Sequence, residues 1–479
     1  MAWMRMMGAE SVEYHRATVL GRMDDHPGQV LAYYASRGET PLVWGGAGAD
    51  ALGLAGPVSD DAYEAVFGPG GARHPGTGER LVSVRRPGME LVISAHKSVA
   101  ELGVVGRAED MHRIMDAERD ATLAYLDQVT RSVGGRRGRA SVQTPTGGLV
   151  YAHTRHATSR AGDPCPHDHV LLANGVEMLD ERGGRKAANT SLWREHLHAA
   201  TMAGRVAGAR TAVELGYGIT PDEGPSGRLG QWKIAGIPDE VLELHSKRAA
   251  EITAAVQARG EDTYQARQVA ARTTRKGKER VSEGELVARW RTELTDVGWP
   301  PERLLASIHA ASGARIAGRL SAAEAHRVLA RVFADDGELA RRKVFARRDL
   351  LVELAPNLYG WDPESSACWS TGPPRTPPSS PQSGSQGRSN PSTRSPLSWP
   401  GRGPSRTVSP ATWTAPAPLP SPPKPLLKPW PRWENASVVR SAANSASGGH
   451  RHVGTGAELV VGVAGAGKTT MLAAVAAAF

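Results

Sequence analysis

Apolar positions fall on one helical face at Met111, Ile114, Met115, Thr122, Tyr125, Leu126 and Val129, with Glu118 as a polar interruption. That spacing predicts an amphipathic helix with its apolar stripe buried. A second helical stretch is predicted from about Leu192 to Leu215. Between the two, Leu149 to His156 and His167 to Asn174 read as strands bounded by Gly and Pro. Residues from about Glu302 to Trp361 are rich in Ala, Leu and Arg and predict more helix, with Pro356 and Gly360 ending the run. The expected class is α+β, with helices packed on a largely antiparallel sheet.

The pattern divides the chain into an expected folded domain over 1–300, a helical connector over 301–364, a low-complexity stretch over 365–440 and a fragment over 441–479. Ser365 to Trp433 holds more than half of the prolines and no carboxylate, so it predicts disorder. Trp369, Trp399, Trp413, Trp430 and Trp433 are too many aromatics for a plain linker, and out-of-frame translation of a GC-rich gene accounts for that composition. In the last fragment a short apolar strand leads into Gly462, Gly465, Gly467, Lys468 and Thr469, which fit the phosphate-cradling loop GxxxxGK[ST]. In that motif backbone N–H groups and Lys468 hold phosphates and Thr469 ligates Mg²⁺. Only ten residues follow Thr469, so the expectation is a vestigial nucleotide site, with ATP and Mg²⁺ relevant only to a complete domain and no hydrolysis by this chain.

The 479 residues, 40% of them apolar, allow two or three domains. No apolar run reaches the roughly 18 residues of a membrane span, and the N-terminus lacks a secretion signal, so a soluble cytoplasmic protein without membrane insertion is expected. Cys165 and Cys368 offer neither a disulfide framework nor a thiolate metal site, which leaves His and carboxylates as metal ligands. The net charge of +9 at first suggests a polyanion partner. Eight of the 58 basic residues lie in the carboxylate-free stretch, so the rest of the chain is nearly neutral. A nucleic-acid partner must therefore be argued from local chemistry.

That chemistry is concentrated in His156-Ala-Thr-Ser-Arg160-Ala-Gly-Asp163-Pro164-Cys-Pro166-His167-Asp168-His169. With a strand period of two, His167 and His169 share a face, and a turn over Ala157 to Pro166 brings His156 alongside. A lone His-x-His is more often a surface pair; the third His across a turn-rich loop makes a three-nitrogen site for Mg²⁺, Mn²⁺ or Zn²⁺ with open positions. His153 has the opposite parity and is left out. The nucleophile then decides the reaction: metal-bound water makes a hydrolase, a protein hydroxyl a transesterase. Tyr33 and Tyr34 stand on a predicted helix where neighbours diverge by about 100°, so only one faces a given site. Glu90, in Gly88-Met-Glu-Leu-Val-Ile-Ser94-Ala-His-Lys97-Ser98-Val, is a candidate to orient an imidazole or take a proton.

An early Tyr-Tyr pair, a strand ending Ser-Ala-x-Lys-Ser-Val, and His-x10-His-x-His with Thr-Ser-Arg and Asp-Pro in the loop resemble the relaxase domain of MobF, or TrwC-type, conjugative relaxases, within the HUH endonucleases. The resemblance covers about residues 10 to 300, and the phosphate loop fits the helicase that usually follows in such proteins. It implies a relaxase fold and an enzyme that nicks one strand at a plasmid transfer-origin hairpin, alongside the conjugation machinery. It implies that Tyr33 is the nucleophile, with Tyr34 as the alternative, and becomes joined to the 5′ end of the cut strand. It further implies that His156, His167 and His169 hold the cation and that Glu90 stands where the family usually has Asp. His96 replaces the usual Pro, and no second tyrosine pair follows Tyr34 shortly; the next tyrosine is Tyr63.

Candidate phosphate contacts are Arg136, Arg137 and Arg139 in a Gly-rich turn, Arg160 in the histidine loop, and Arg272, Arg275, Lys276, Lys278 and Arg280. Two other readings stay open at this point. One is a metal-dependent phosphodiesterase that uses water. The other is a degenerate remnant that binds DNA without cutting it.

Overall fold

A computed structural model describes residues 2–19, 41–137, 140–179, 184–222, 231–260, 263–274, 281–312, 327–330, 332–333, 339, 344–359 and 459–461. The elements in order are β1 (Ala2–Met6), α1 (Ala9–Val19), β2 (Val43–Gly45), α2 (Ala47–Asp50), α3 (Asp60–Phe67), β3 (Gly88–Ser94), α4 (Lys97–Val104) and α5 (Ala108–Val129). There follow β4 (Arg131–Arg137), β5 (Ala140–Pro145), β6 (Tyr151–Thr158), β7 (Pro164–Ala173), β8 (Val176–Glu177), β9 (Arg185–Lys186) and α6 (Thr190–Glu214). The remainder comprises β10 (Ile219–Asp222), β11 (Gln231–Ile234), α7 (Asp239–Leu244), α8 (Lys247–Gln257), α9 (Tyr264–Thr273), α10 (Glu283–Asp296), α11 (Pro301–Ala311), β12 (Val344–Ala346), α12 (Arg347–Leu354) and β13 (Leu459–Val461).

A five-stranded sheet in the order β1-β3-β7-β6-β2, antiparallel throughout, organises the fold. Alternation along the strands gives it two faces. On the back face Met89, Leu91, Ile93, Val170 and Leu172 pack against Leu123 and Leu126 of α5 and Trp193 and Ala200 of α6. On the front face Ala152 and Leu171 join Trp44, Tyr63, Phe67 and the partly buried Val12 of α1. Sandwiched between two helical layers, β3 and β7 read as nearly unbroken apolar text, as strands buried on both faces do.

The helical face expected in α5 is buried at Met111, Ile114, Met115, Glu118, Thr122 and Leu126, and Leu123 belongs to it as well. Helix α6 crosses it closely because Gly204 leaves room: a Cβ there would come within 2.3 Å of Thr122 Oγ1 and 2.6 Å of the Glu118 carbonyl. A further core joins α4, α5 and α6 to the later elements through Leu102, Ile114, Trp232, Trp290, Leu294, Leu304, Ile308 and Tyr359. Helix α10 starts on a capping box between Ser282 and Glu285.

Two local readings differ from the sequence expectation. Val344–Ala346 is a strand, paired antiparallel with Leu459–Val461, in a region whose Ala, Leu and Arg content predicts helix. Arg136 and Arg137 end strand β4 of a two-stranded ribbon with β5, rather than lying in a turn. The low-complexity segment 365–440, the phosphate loop from Gly462 to Thr469, and Tyr33, Tyr34, Arg139 and Lys276 lie outside the described residues. Among the described residues no helix is long and apolar enough to cross a membrane.

Candidate active site

Strands β6 and β7 form a hairpin whose register pairs His156 with His167, Arg155 with Asp168, and Thr154 with His169. His156, His167 and His169 therefore share the front face, as the strand period requires. Their ring centroids are 5.4 Å (His156 to His167), 4.6 Å (His156 to His169) and 5.1 Å (His167 to His169) apart. One nitrogen from each lies within 4.8 Å of the others. His153 points to the opposite face, against Tyr151.

The turn is tighter than the sequence suggests, because pairing extends to Thr158 and Pro164 after a register shift beyond His156. Ser159 closes it: its N–H donates to the Asp163 carbonyl at 3.0 Å and its hydroxyl to Asp163 Oδ2 at 3.0 Å. Gly162 takes a φ of +75°, where a side chain would be strained and a Cβ would lie 2.5 Å from Arg289 Nη2. The Trp290 indole donates to the Gly162 carbonyl at 2.8 Å, and the Arg248 amide donates to Asp163 Oδ2 at 3.1 Å. Helices α8 and α10 thus clamp the tip of the hairpin that carries the three histidines.

Two of the three rings have their tautomer fixed by a partner that can only accept. His167 Nδ1 lies 2.7 Å from the Cys165 carbonyl, and His169 Nδ1 lies 2.7 Å from Glu90 Oε1. An N–H at Nδ1 leaves the Nε2 lone pair of each ring for a cation. Burial lowers the pKa of His169 to about 4 despite the opposing pull of Glu90, so this imidazole is neutral near pH 7, the form that ligates metal. The donor set suits a divalent cation with open positions.

Glu90 is fully buried on β3, opposite Arg5 of β1 in the sheet register. Burial alone pushes its carboxyl up, but His15 and His169 around it hold it well below the ordinary carboxylate range. Its Oε2 receives the Arg5 guanidinium at 2.5 Å, and Oε1 lies 3.4 Å from His15 Nε2. His15 is buried on α1, its ring 5.7 Å from that of His169. With Glu90 and His169 it forms a second group of three potential ligands, all within 4.8 Å of one another. Helix α1 is fixed in place by α3: the Tyr63 hydroxyl donates to the Val12 carbonyl at 2.9 Å, and Arg16 pairs with Asp60 at 2.8 Å.

Arg5 and His15 were missed by sequence reasoning. Neither belongs to a motif, and both reach Glu90 through tertiary pairing. His96 caps α4, accepting from the Ser98 amide at 3.1 Å, and so takes a structural place where the resemblance expects Pro. Lys97 is held by the Pro164 carbonyl at 2.8 Å, and Arg160 sits in the hairpin turn.

On the back face a buried ion pair stands behind the histidines. Arg155 donates from Nε to Asp168 Oδ1 at 2.7 Å and from Nη2 to Oδ2 at 2.8 Å, and Asp168 is fully buried. Arg155→Met leaves that carboxylate uncompensated and should cost about 3–5 kcal/mol. Adding Asp168→Leu should recover most of the loss; denaturant melts of the two variants check this, and equal melts for both would disprove it.

A sheet that presents three converging imidazoles from a clamped hairpin, with helices on both faces, defines an α+β domain of the relaxase type. The TrwC relaxase family model matches residues 9–297, and the chain belongs to that family. It is 31% identical over 274 residues to the multifunctional conjugation protein TraI of Escherichia coli, and 31% over 272 residues to TraI of strain K12; each match covers 53% of this chain. The chain spans about 14% of the length of those relatives. Among solved structures it resembles the conjugative relaxase TrwC in complex with oriT DNA. The copper-bound form has a TM-score of 0.53 at 25% identity, and a metal-bound form 0.53 at 24%; each covers 63% of this chain and 100% of the other.

Proposed function

We propose that this chain is a metal-dependent DNA relaxase that nicks and rejoins single-stranded DNA at a plasmid transfer origin during conjugation. The observation that carries the reading is the convergence of His156, His167 and His169 on one face, two of them with Nδ1 committed elsewhere. Family membership and the likeness to TrwC bound to oriT DNA support it. The partners are a transfer-origin hairpin and the conjugation machinery, and the compartment is the cytoplasm.

In this reading His156, His167 and His169 would hold a divalent cation, Mg²⁺, Mn²⁺ or Zn²⁺, which would offset charge on the scissile phosphate. Glu90 orients His169 and is itself held by Arg5 and His15. Tyr33 supplies the phenol oxygen that bonds to phosphorus while the bond to the 3′ oxygen breaks. The tyrosine loses its proton, and the departing 3′ oxygen gains one. The product is a 5′-phosphotyrosine ester and a free 3′-OH, and reversal rejoins the strand. Arg136, Arg137, Arg160 and Lys276 contribute phosphate contacts.

A second nucleophile is favoured by a specific observation. Tyr14 is on α1 beside His15, with its ring edge-on to that imidazole at 5.1 Å. His15 in turn touches Glu90 and His169. This puts a half-buried phenol on the helix that covers the histidine face.

Incubation with a transfer-origin oligonucleotide and Mn²⁺ tests the proposal. A protein–DNA adduct that survives denaturant and disappears with chelator is expected. Free ends without adduct would instead support attack by water, and binding with no product in Mg²⁺, Mn²⁺ or Zn²⁺ would support a non-catalytic remnant.

A further inference from the structure

We infer that Trp3 is a stacking platform for an unpaired base of the strand whose phosphate occupies the histidine site; the inference rests on the single-stranded DNA reading above. Strand β1 is an edge of the sheet, and its residues alternate: Ala2, Met4 and Met6 pack into the back-face core, while Trp3 and Arg5 face the front and are 42% and 54% exposed. Trp3 pairs with Val92, and Val92 pairs with His169. The indole therefore stands on the same rung and the same face as a candidate ligand, two strands away, about 10 Å at the usual strand spacing.

Among the residues whose burial is described Trp3 is the one exposed large aromatic; the other exposed large apolar side chains there are Val133, Val142, Leu179, Val269 and Val297. An aromatic of this size usually finds burial. A cation lies against it, and none of the other exposed large apolar side chains of the described residues belongs to its strand or to the strand it pairs with. The Arg5 guanidinium lies 5.5 Å from the ring centroid and is itself anchored on Glu90. The same salt bridge thus fixes the site carboxylate and props the indole. An aromatic face beside a cation suits a nucleic-acid base, which stacks without sequence readout. A protein partner would call for a wider apolar surface.

The test compares the full-length wild type, Trp3→Ala and Trp3→Phe for binding to fluorescein-labelled oligo-dT and to an abasic phosphodiester strand of equal length. The wild type is expected to prefer oligo-dT. Trp3→Ala should lower oligo-dT affinity on the order of tenfold and leave abasic affinity unchanged, while Trp3→Phe keeps most of the affinity. Melting midpoints should match, since the side chain is half exposed. Equal oligo-dT affinity in the wild type and Trp3→Ala, or equal losses on both strands, would overturn the platform while leaving the relaxase reading in place. A wild type that binds neither strand would overturn the platform, and the relaxase reading falls as well only if the transfer-origin oligonucleotide also fails to bind.

Discussion

His167→Ala is expected to weaken Mn²⁺ or Zn²⁺ binding by on the order of a hundredfold or more, with little change in the melting midpoint. Losing a partner behind a ligand typically costs about 10–100-fold in metal affinity, and losing a ligand itself should cost at least as much. Two imidazoles that remain cannot enclose the cation from three sides. His167 is half-buried rather than part of an apolar core cluster, and its Nδ1 lies against the backbone carbonyl of Cys165, so its removal leaves the core packing in place. The matched control is His153→Ala. It stands on the same hairpin, three residues from His156, but faces the other side of the sheet against Tyr151. Calorimetric titration should show the large loss for the first variant and wild-type affinity for the second. Similar affinities in the two variants would mean that the ion, if bound, sits elsewhere.

That contrast between His153 and His167 is legible in the sequence itself. Strand parity alone separates His153 from the front face, and the Gly and Pro punctuation places the two histidine strands side by side. The α5 and α6 helices were equally readable, because their apolar spacing is local and long. The turn came out shorter than expected because Ser159 and Asp163 bridge it with their own side chains, a detail that periodicity does not carry.

What surrounds the histidines was not readable in the same way. Arg5 reaches Glu90 across a register of strands 85 residues apart, and His15 reaches the same carboxylate from a helix 75 residues away. A lone Arg or His near the N-terminus carries no local signal of such pairing. Arg155 and Asp168 sit within the motif itself, yet their role becomes visible only when the register opposes them on the back face. The strand at Val344–Ala346 has the same cause: its partner lies more than a hundred residues away, while its immediate neighbours favour helix.

The sequence reading proposes Tyr33 as nucleophile, Tyr14 is the tyrosine that the described residues place beside His15, and replacement of each separates them. Tyr33→Phe is expected to abolish the covalent adduct, a fall on the order of 10⁶-fold for loss of a nucleophile that works as part of a unit, while DNA affinity stays near wild type. The phenol oxygen is the only atom removed, so a loss confined to the chemical step is the signature of a nucleophile rather than of packing. Tyr14→Phe is the counter-experiment. Its ring lies edge-on to His15, which contacts the carboxylate that holds His169. If Tyr14 only packs, its phenylalanine variant keeps the ring and should keep the adduct. If instead the adduct survives in Tyr33→Phe and vanishes in Tyr14→Phe, the nucleophile belongs to α1 and the Tyr-Tyr pair serves another step. Peptide mapping of the adduct formed by the wild type decides the same question without mutation, because Arg16 and Arg22 lie between Tyr14 and the Tyr33-Tyr34 pair, so trypsin places them on different peptides. Adduct retained at full yield in both single variants would leave Tyr34 as the remaining member of the pair, to be tested by the same substitution.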